Sequence, residues 1–134
     1  MPTESDIAYL DASALVKLVL AEDESMTLRS ALAAWPHRTS SKISLVEVIR
    51  TVRLKDRAAE PLAHRVLAST GLLGVGDRLL VAAAALDPPV VRALDAIHLA
   101  SALRLGNRLA AFVSYDQRQL AAAGALGLAV ASPR

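Results

Sequence analysis

The feature that most limits how this 134-residue chain can fold is a regular alternation of short apolar runs and longer stretches with helical spacing. Short runs at 7–10, 37–40, 72–75, 109–113 and 128–131 read as strands. Between them, 12–20, 25–35, 44–55, 61–69, 77–86, 94–105 and 117–123 carry apolar residues at helical intervals. In 44–55, Val46, Ile49 and Val52 are expected on one buried face. The punctuation agrees. Pro36 closes the second helix, Pro61 opens the fourth, Asp87-Pro88-Pro89 is a hard break, and Gly106-Asn107 stops the sixth. Strands that alternate with helices pair in parallel, and the helices cover both faces of the sheet. Ligands of such sheets bind beyond the carboxyl ends of the strands. With no repeats, linker or low-complexity tail, residues 1–134 are read as a single domain of α/β class.

Four acidic residues fall where this pattern places ligands. Asp11 follows the first strand, and Glu47 sits in the first turn of the third helix. Asp95 begins the helix after the proline break, and Asp116 lies just beyond the fourth strand. Each alone has an ordinary structural reading. Asp11 and Asp116 can cap helices, Ser44-x-x-Glu47 matches a capping box, and Asp95 can complement a helix dipole. Together they conflict with those readings if they converge. A cap contributes ~1 kcal/mol, whereas two carboxylates ~6 Å apart repel by about 3 kcal/mol at an effective dielectric of ~20. A cluster of four needs a cation or shared protons. Oxygen ligands suit hard ions such as Mg²⁺ or Mn²⁺, the usual partners of carboxylates in phosphodiester chemistry. Zinc is disfavoured, because the chain has no cysteine and its three histidines show no metal-binding spacing.

Composition sets further bounds. The absence of cysteine excludes disulfides and thiolate metal sites and fits a reducing cytoplasm. The opening MPTESDIAYL lacks a basic segment followed by an apolar one, so no secretory leader is expected. The longest apolar run, 79–86, is too short to span a membrane, and a cytoplasmic protein is expected. Hydrophobic residues make up 54% of the chain and mean hydropathy is +0.39, a surplus that fits either a GC-rich coding bias or apolar surface left over for a partner chain. Net charge is only +2, although twelve of the fifteen basic residues are arginine, the side chain suited to phosphate.

Four segments in this order resemble the PIN domain: YLDASALVKL at 9–18, SSKISLVEVIR at 40–50, RALDAIHLASAL at 92–103 and FVSYDQRQLAAAG at 112–124. Their order and spacing are most similar to VapC-type toxins of bacterial toxin–antitoxin pairs, and the resemblance covers essentially the whole chain. It implies a three-layer α/β/α sandwich around a mostly parallel sheet of four or five strands. It also implies an endoribonuclease dependent on Mg²⁺, with Mn²⁺ as a substitute, a homodimer, and a cognate VapB-like antitoxin. The family's acidic positions match Asp11, Glu47, Asp95 and Asp116, which would serve as both catalytic and metal-binding residues. Its small hydroxyl positions match Ser13 and Ser114, which would steady those ligands or their waters.

Other residues are weighed beside these. Arg50, Arg53 and Arg57 follow Glu47 at helical spacing and could meet RNA phosphates or form a solvated face. Tyr115 adjoins Asp116 and could stack on a base, whereas Trp35 reads as core. His98, one turn after Asp95, reads as a packed, hydrogen-bonded histidine in an apolar helix rather than a ligand. His37 and His64 are given no role, and that of Lys17 is open. The stretch 15–20 with Leu28 and Leu32 reads as core or as a partner surface. Three other functions compete: a non-catalytic PIN scaffold, a DNA nuclease, and a receiver-like phosphoacceptor. The last needs a lysine after its final strand, yet the lysines here, Lys17, Lys42 and Lys55, all come early.

Overall fold

A computed structural model describes residues 5–134, so the expectation of no leader falls partly on residues 1–4, which lie outside the described residues. The elements are β1 (Ile7–Leu10), α1 (Ala12–Lys17), α2 (Ser25–Leu32), β2 (His37–Ser41), α3 (Ser44–Lys55), α4 (Glu60–Ala68), β3 (Gly71–Leu73), α5 (Asp77–Ala84), α6 (Ala93–Leu103), β4 (Leu109–Val113), α7 (Gln117–Ala125) and β5 (Val130–Ala131). Every strand and helix expected from the sequence is present, and the differences lie at the ends. The first helix stops at Lys17, and β5 starts later than expected.

The sheet runs β3-β2-β1-β4-β5, and all its pairings are parallel. This order excludes the receiver-like reading, whose sheet runs 2-1-3-4-5. The chain builds outward from β1 to β3, then returns to the other side of β1 with β4. A topological switch point therefore lies between β1 and β4. Register is fixed there by Leu10 opposite Val113, and Asp11 N–H donates to the Val113 carbonyl at 3.2 Å.

Side chains of β1 alternate between two cores, as strand geometry requires. Ala8 and Leu10 face α1–α4, packing with Leu15, Leu28, Val48, Val52 and Leu67. Tyr9 faces the opposite layer with Leu99, Phe112 and Ala123. Helices thus cover both faces, in a three-layer α/β/α sandwich. Leu15, Val16, Leu18, Val19, Leu28 and Leu32 all belong to the core, and Trp35 packs against it. Val46 departs from expectation. It is 62% exposed, because α3 turns Ser44, Val48 and Val52 inward, a stripe at four-residue spacing. Leu28→Ala, which empties a fully buried site on α2, is expected to cost about 2–5 kcal/mol and to lower Tm by roughly 10 °C. Met26→Ala on the same helix, 82% exposed, should leave the melt unchanged in calorimetry.

Candidate active site

A switch point opens a crevice beyond the carboxyl ends of its strands. Asp11 and Asp116 lie just past β1 and β4 there, while Glu47 and Asp95 lie in the first turns of α3 and α6. Asp11 directly follows β1 and is 5% exposed. It caps α1 by accepting from Ala14 N–H at 3.1 Å, so its capping role is real. It does more than cap. Ser13 donates to Oδ1 and Ser114 to Oδ2, each at 2.6 Å. Those serines are tied to the far side of the switch point, because Ser13 Oγ accepts from Tyr115 N–H at 2.9 Å and Ser114 Oγ from Asp116 N–H at 3.1 Å. Ser13 and Ser114 therefore hold Asp11 against the segment that carries Asp116. Burial pushes the Asp11 carboxyl above its ordinary range, against the opposing effect of hydrogen bonds from Ser114 and Ser13. All its hydrogen bonds come from neutral groups.

Asp116 caps α7, accepting from Arg118 and Gln119 N–H. Asp95, in the first turn of α6, lies beside it. Arg92 spans the two, with Nε 3.4 Å from Asp95 and an Nη 3.8 Å from Asp116. The buried Gln119 links the same pair, since its Nε2 donates to the Asp95 carbonyl at 3.2 Å. Its Oε1 is buried without a hydrogen-bond partner.

Glu47 enters from the opposite layer on α3. The capping-box reading of Ser44-x-x-Glu47 is overturned, because the start of α3 has no side-chain cap. Ser44 Oγ is held instead by Ser40 Oγ at 2.7 Å, and Glu47 meets His98 Nε2 at 2.7 Å. His98 is packed and hydrogen-bonded as expected, with 1% exposure. Its other nitrogen, Nδ1, lies 2.8 Å from the Tyr9 hydroxyl. Burial pushes the Tyr9 phenol far above its usual range, so it stays protonated.

Three of the acids are linked through shared neighbours, Asp11 to the Asp116 backbone by Ser114 and Asp116 to Asp95 by Arg92, whereas Glu47 bonds His98 instead. They do not form a ready cage. Among the described residues, no three Asp, Glu, His or Cys side chains stand close enough to hold an ion as placed. The chemistry of the donor set nevertheless fits a hard cation. It is all oxygen, and it includes in Asp11 a buried carboxylate with no cationic hydrogen-bond partner.

Among the RNA-contact candidates, Arg50 is exposed on α3. Arg53 is engaged with Glu60 at 3.2 Å. Tyr115 is committed within the chain: Lys17 Nζ sits 4.7 Å from its ring centroid, and its hydroxyl donates to the Pro133 carbonyl at 2.7 Å. A base stacked there would have to compete with Lys17, which itself pairs with Glu24 at 2.7 Å. The crevice is flanked by two depressions. One, of about 290 Å³, is lined by Ser13, Lys17, Lys55 and Tyr115. The other, a groove of about 610 Å³ between α6 and α7, is lined by Val91, Arg92, Asp95, Gln119 and Ala122. Sequence reasoning did not single out Arg92, Gln119 or Tyr9. Arg92 could have been flagged three residues before Asp95, at helical spacing. The other two carry no local signal.

Comparison with known proteins agrees with this geometry. The PIN-domain family matches residues 8–125. Ribonuclease VapC46 of Mycobacterium tuberculosis is 45% identical over 125 residues, spanning 93% of this chain and 96% of that protein. Ribonuclease VapC47 of the same species is 35% identical over 130 residues, with the same coverage. Among solved structures, M. tuberculosis VapC20, described as a sarcin-ricin loop cleaving toxin, superposes with a TM-score of 0.75 at 17% identity, over 94% of this chain and 99% of that one. A chain of a toxin–antitoxin complex from Klebsiella pneumoniae gives 0.72 at 25% identity, over 95% and 98%. The acid-bearing switch point and these relatives together place the chain: it belongs to the PIN-domain family, among the VapC-type toxins.

Proposed function

We propose that the protein is the ribonuclease toxin of a VapBC-type pair, a Mg²⁺-dependent endoribonuclease that hydrolyses RNA phosphodiesters with water. The observation that supports the reading is the linked set Asp11, Asp95 and Asp116 at the β1/β4 switch point, with Glu47 carried by α3 and held by His98. Buried Asp11 there has only neutral hydrogen-bond donors. Relatives named as ribonucleases at 45% and 35% identity support the activity.

Asp11, Asp95 and Asp116 would hold the divalent ion, Mg²⁺ or Mn²⁺. When bound, that ion supplies Lewis acidity to the phosphoryl oxygens and lowers the pKa of water. Ser13 and Ser114 fix both oxygens of Asp11, so its carboxylate is oriented before substrate arrives. Arg92 is 69% exposed and free to swing from its two carboxylates toward an RNA phosphate. Glu47 orients the attacking water and accepts its proton. No side chain attacks phosphorus, so the products carry 5′-phosphate and 3′-hydroxyl ends.

A cognate VapB-like antitoxin is the proposed partner, supported by the toxin–antitoxin complex among the structural relatives. Exposed apolar residues, among them Val46 on α3 and Leu80, Val81 and Val90 around α5, supply surface for a homodimer or for that antitoxin.

The reading is tested by incubating the purified protein with total cellular RNA and Mg²⁺, Mn²⁺ or EDTA. Cutting with either ion, silence in EDTA and 5′-phosphate ends are expected. Cleavage undiminished by EDTA would remove the ion from the mechanism. No cleavage under any condition by correctly folded protein would leave a PIN scaffold.

A further inference from the structure

His98 is buried in the apolar face of α6, yet among the described residues it is the one side chain that hydrogen-bonds Glu47. The two come from opposite layers of the sandwich. Glu47 opens α3 on the face occupied by α1–α4, whereas His98 lies on α6 beside Tyr9 and Leu99. The contact therefore crosses from one layer to the other at the end of the sheet. A buried histidine that needed only a satisfied nitrogen could have taken it from its own helix, as Ser101 does from the Ile97 carbonyl.

The polarity of the contact follows from what each atom can do. An ionised Glu47 carboxylate only accepts, so His98 Nε2 must carry the proton between them. In the neutral ring, Nδ1 is then an acceptor, and the Tyr9 hydroxyl, 2.8 Å away, donates to it. Tyr9 cannot easily shift. It is fully buried in the central strand, and its ring stacks on Phe112 at 5.4 Å with 8° between planes. It meets the His98 ring edge-on at 5.8 Å and 77°. For a neutral imidazole, one tautomer satisfies both Glu47 and the Tyr9 hydroxyl, beside which the Ser101 and Ser40 hydroxyls also lie, and Glu47 is the free end of the series.

We infer that Tyr9 and His98 are positioning residues for Glu47: Tyr9 holds the imidazole in the Nε2–H tautomer, and that N–H aims the Glu47 carboxylate into the crevice. The inference rests on the nuclease reading for its effect on cleavage, but its geometry can be tested without any reaction. Neighbours that orient a reactive or ligating group typically contribute 10–100-fold to activity or metal affinity.

Tyr9→Phe removes one oxygen and keeps the ring stack. It is expected to lower kcat for RNA cleavage about 10-fold with KM for RNA unchanged. His98→Ala should lose about 100-fold, and His98→Gln, whose amide N–H reaches as far as Nε2, should recover most of that loss. Nitrogen NMR of the wild-type imidazole, recorded without metal, should show a protonated Nε2 and a bare, hydrogen-bonded Nδ1. In Tyr9→Phe that Nδ1 signal should shift. An Nδ1–H tautomer in the wild type overturns the inference. So does Tyr9→Phe cleaving at the wild-type kcat, or His98→Gln no better than His98→Ala while equally well folded by thermal melt. Should the wild type cut no RNA, the nuclease reading fails separately. The pair is then judged by the metal-free spectrum alone, where a shifted Nδ1 signal in Tyr9→Phe supports the assignment and an unmoved one overturns it.

Discussion

Asp95→Asn is expected to lower RNA cleavage by about 10²–10³-fold and leave the fold intact. The side chain lies in the first turn of α6 and is 25% exposed, and its ion-pair partner Arg92 is 69% exposed. Breaking a pair that open costs little stability. Asparagine fills the same volume, and Gln119 contacts the Asp95 backbone carbonyl rather than its carboxylate, so α6 stays anchored. What disappears is one negative charge from the set that would hold the ion. Without metal the variant should melt no lower than the wild type, because Asp116 loses a like-charged neighbour. Single-turnover cleavage in Mg²⁺ together with a thermal melt in EDTA decides the matter. A fully active Asp95→Asn protein would exclude Asp95 from the chemistry.

Asp11→Asn has a comparable effect on cleavage, about 10²–10³-fold, and adds a signature in pH. Burial raises the native carboxyl above its ordinary value of 3.8. Between that ordinary value and the raised native one, the folded protein binds more protons than the unfolded chain. Stability therefore falls as pH rises through this window, and the penalty is complete above it. Relative to the asparagine variant, the metal-free wild type should accordingly lose melting temperature as pH rises from about 4 to 8. The asparagine variant should show a smaller decline and the higher Tm of the two at pH 8. Its amide can accept from Ala14 N–H with its oxygen and donate to a rotated Ser114 hydroxyl with its nitrogen, which spares the cap. Adding Mg²⁺ should raise the wild-type Tm at pH 8 and leave the variant unmoved. Parallel dependences of Tm on pH for the two proteins from about pH 4 to 8 would contradict a raised Asp11.

Much of this fold is legible in the sequence because its elements are separated by strong punctuation. The Asp87-Pro88-Pro89 break and Gly106-Asn107 bracket α6 whatever the tertiary context, and its acid falls in the first turn by that fact alone. Asp11 and Asp116 were placed by the same logic, since each follows a short apolar run that could only be a strand. Helix rotation was less visible. In α3, Val46, Ile49 and Val52 form one plausible stripe and Ser44, Val48 and Val52 another. Only the packing of Ser44 against Ser40 settles the choice. The same residues made a convincing capping box on paper, and tertiary partners took both side chains. The partner of His98 lies 51 residues away and that of Asp11 103, distances at which local pattern carries no information.

The strand order has a consequence for how the protein is made. β1 leaves the ribosome well before its second neighbour, β4, which is synthesised about a hundred residues later. A nascent polypeptide ending at Gly106 already carries Asp11, Glu47 and Asp95 but lacks the strand that brings Ser114 and Asp116 to them. The pocket can close only once β4 and Asp116 have emerged, so any fragment that stops before β4 lacks one side of it.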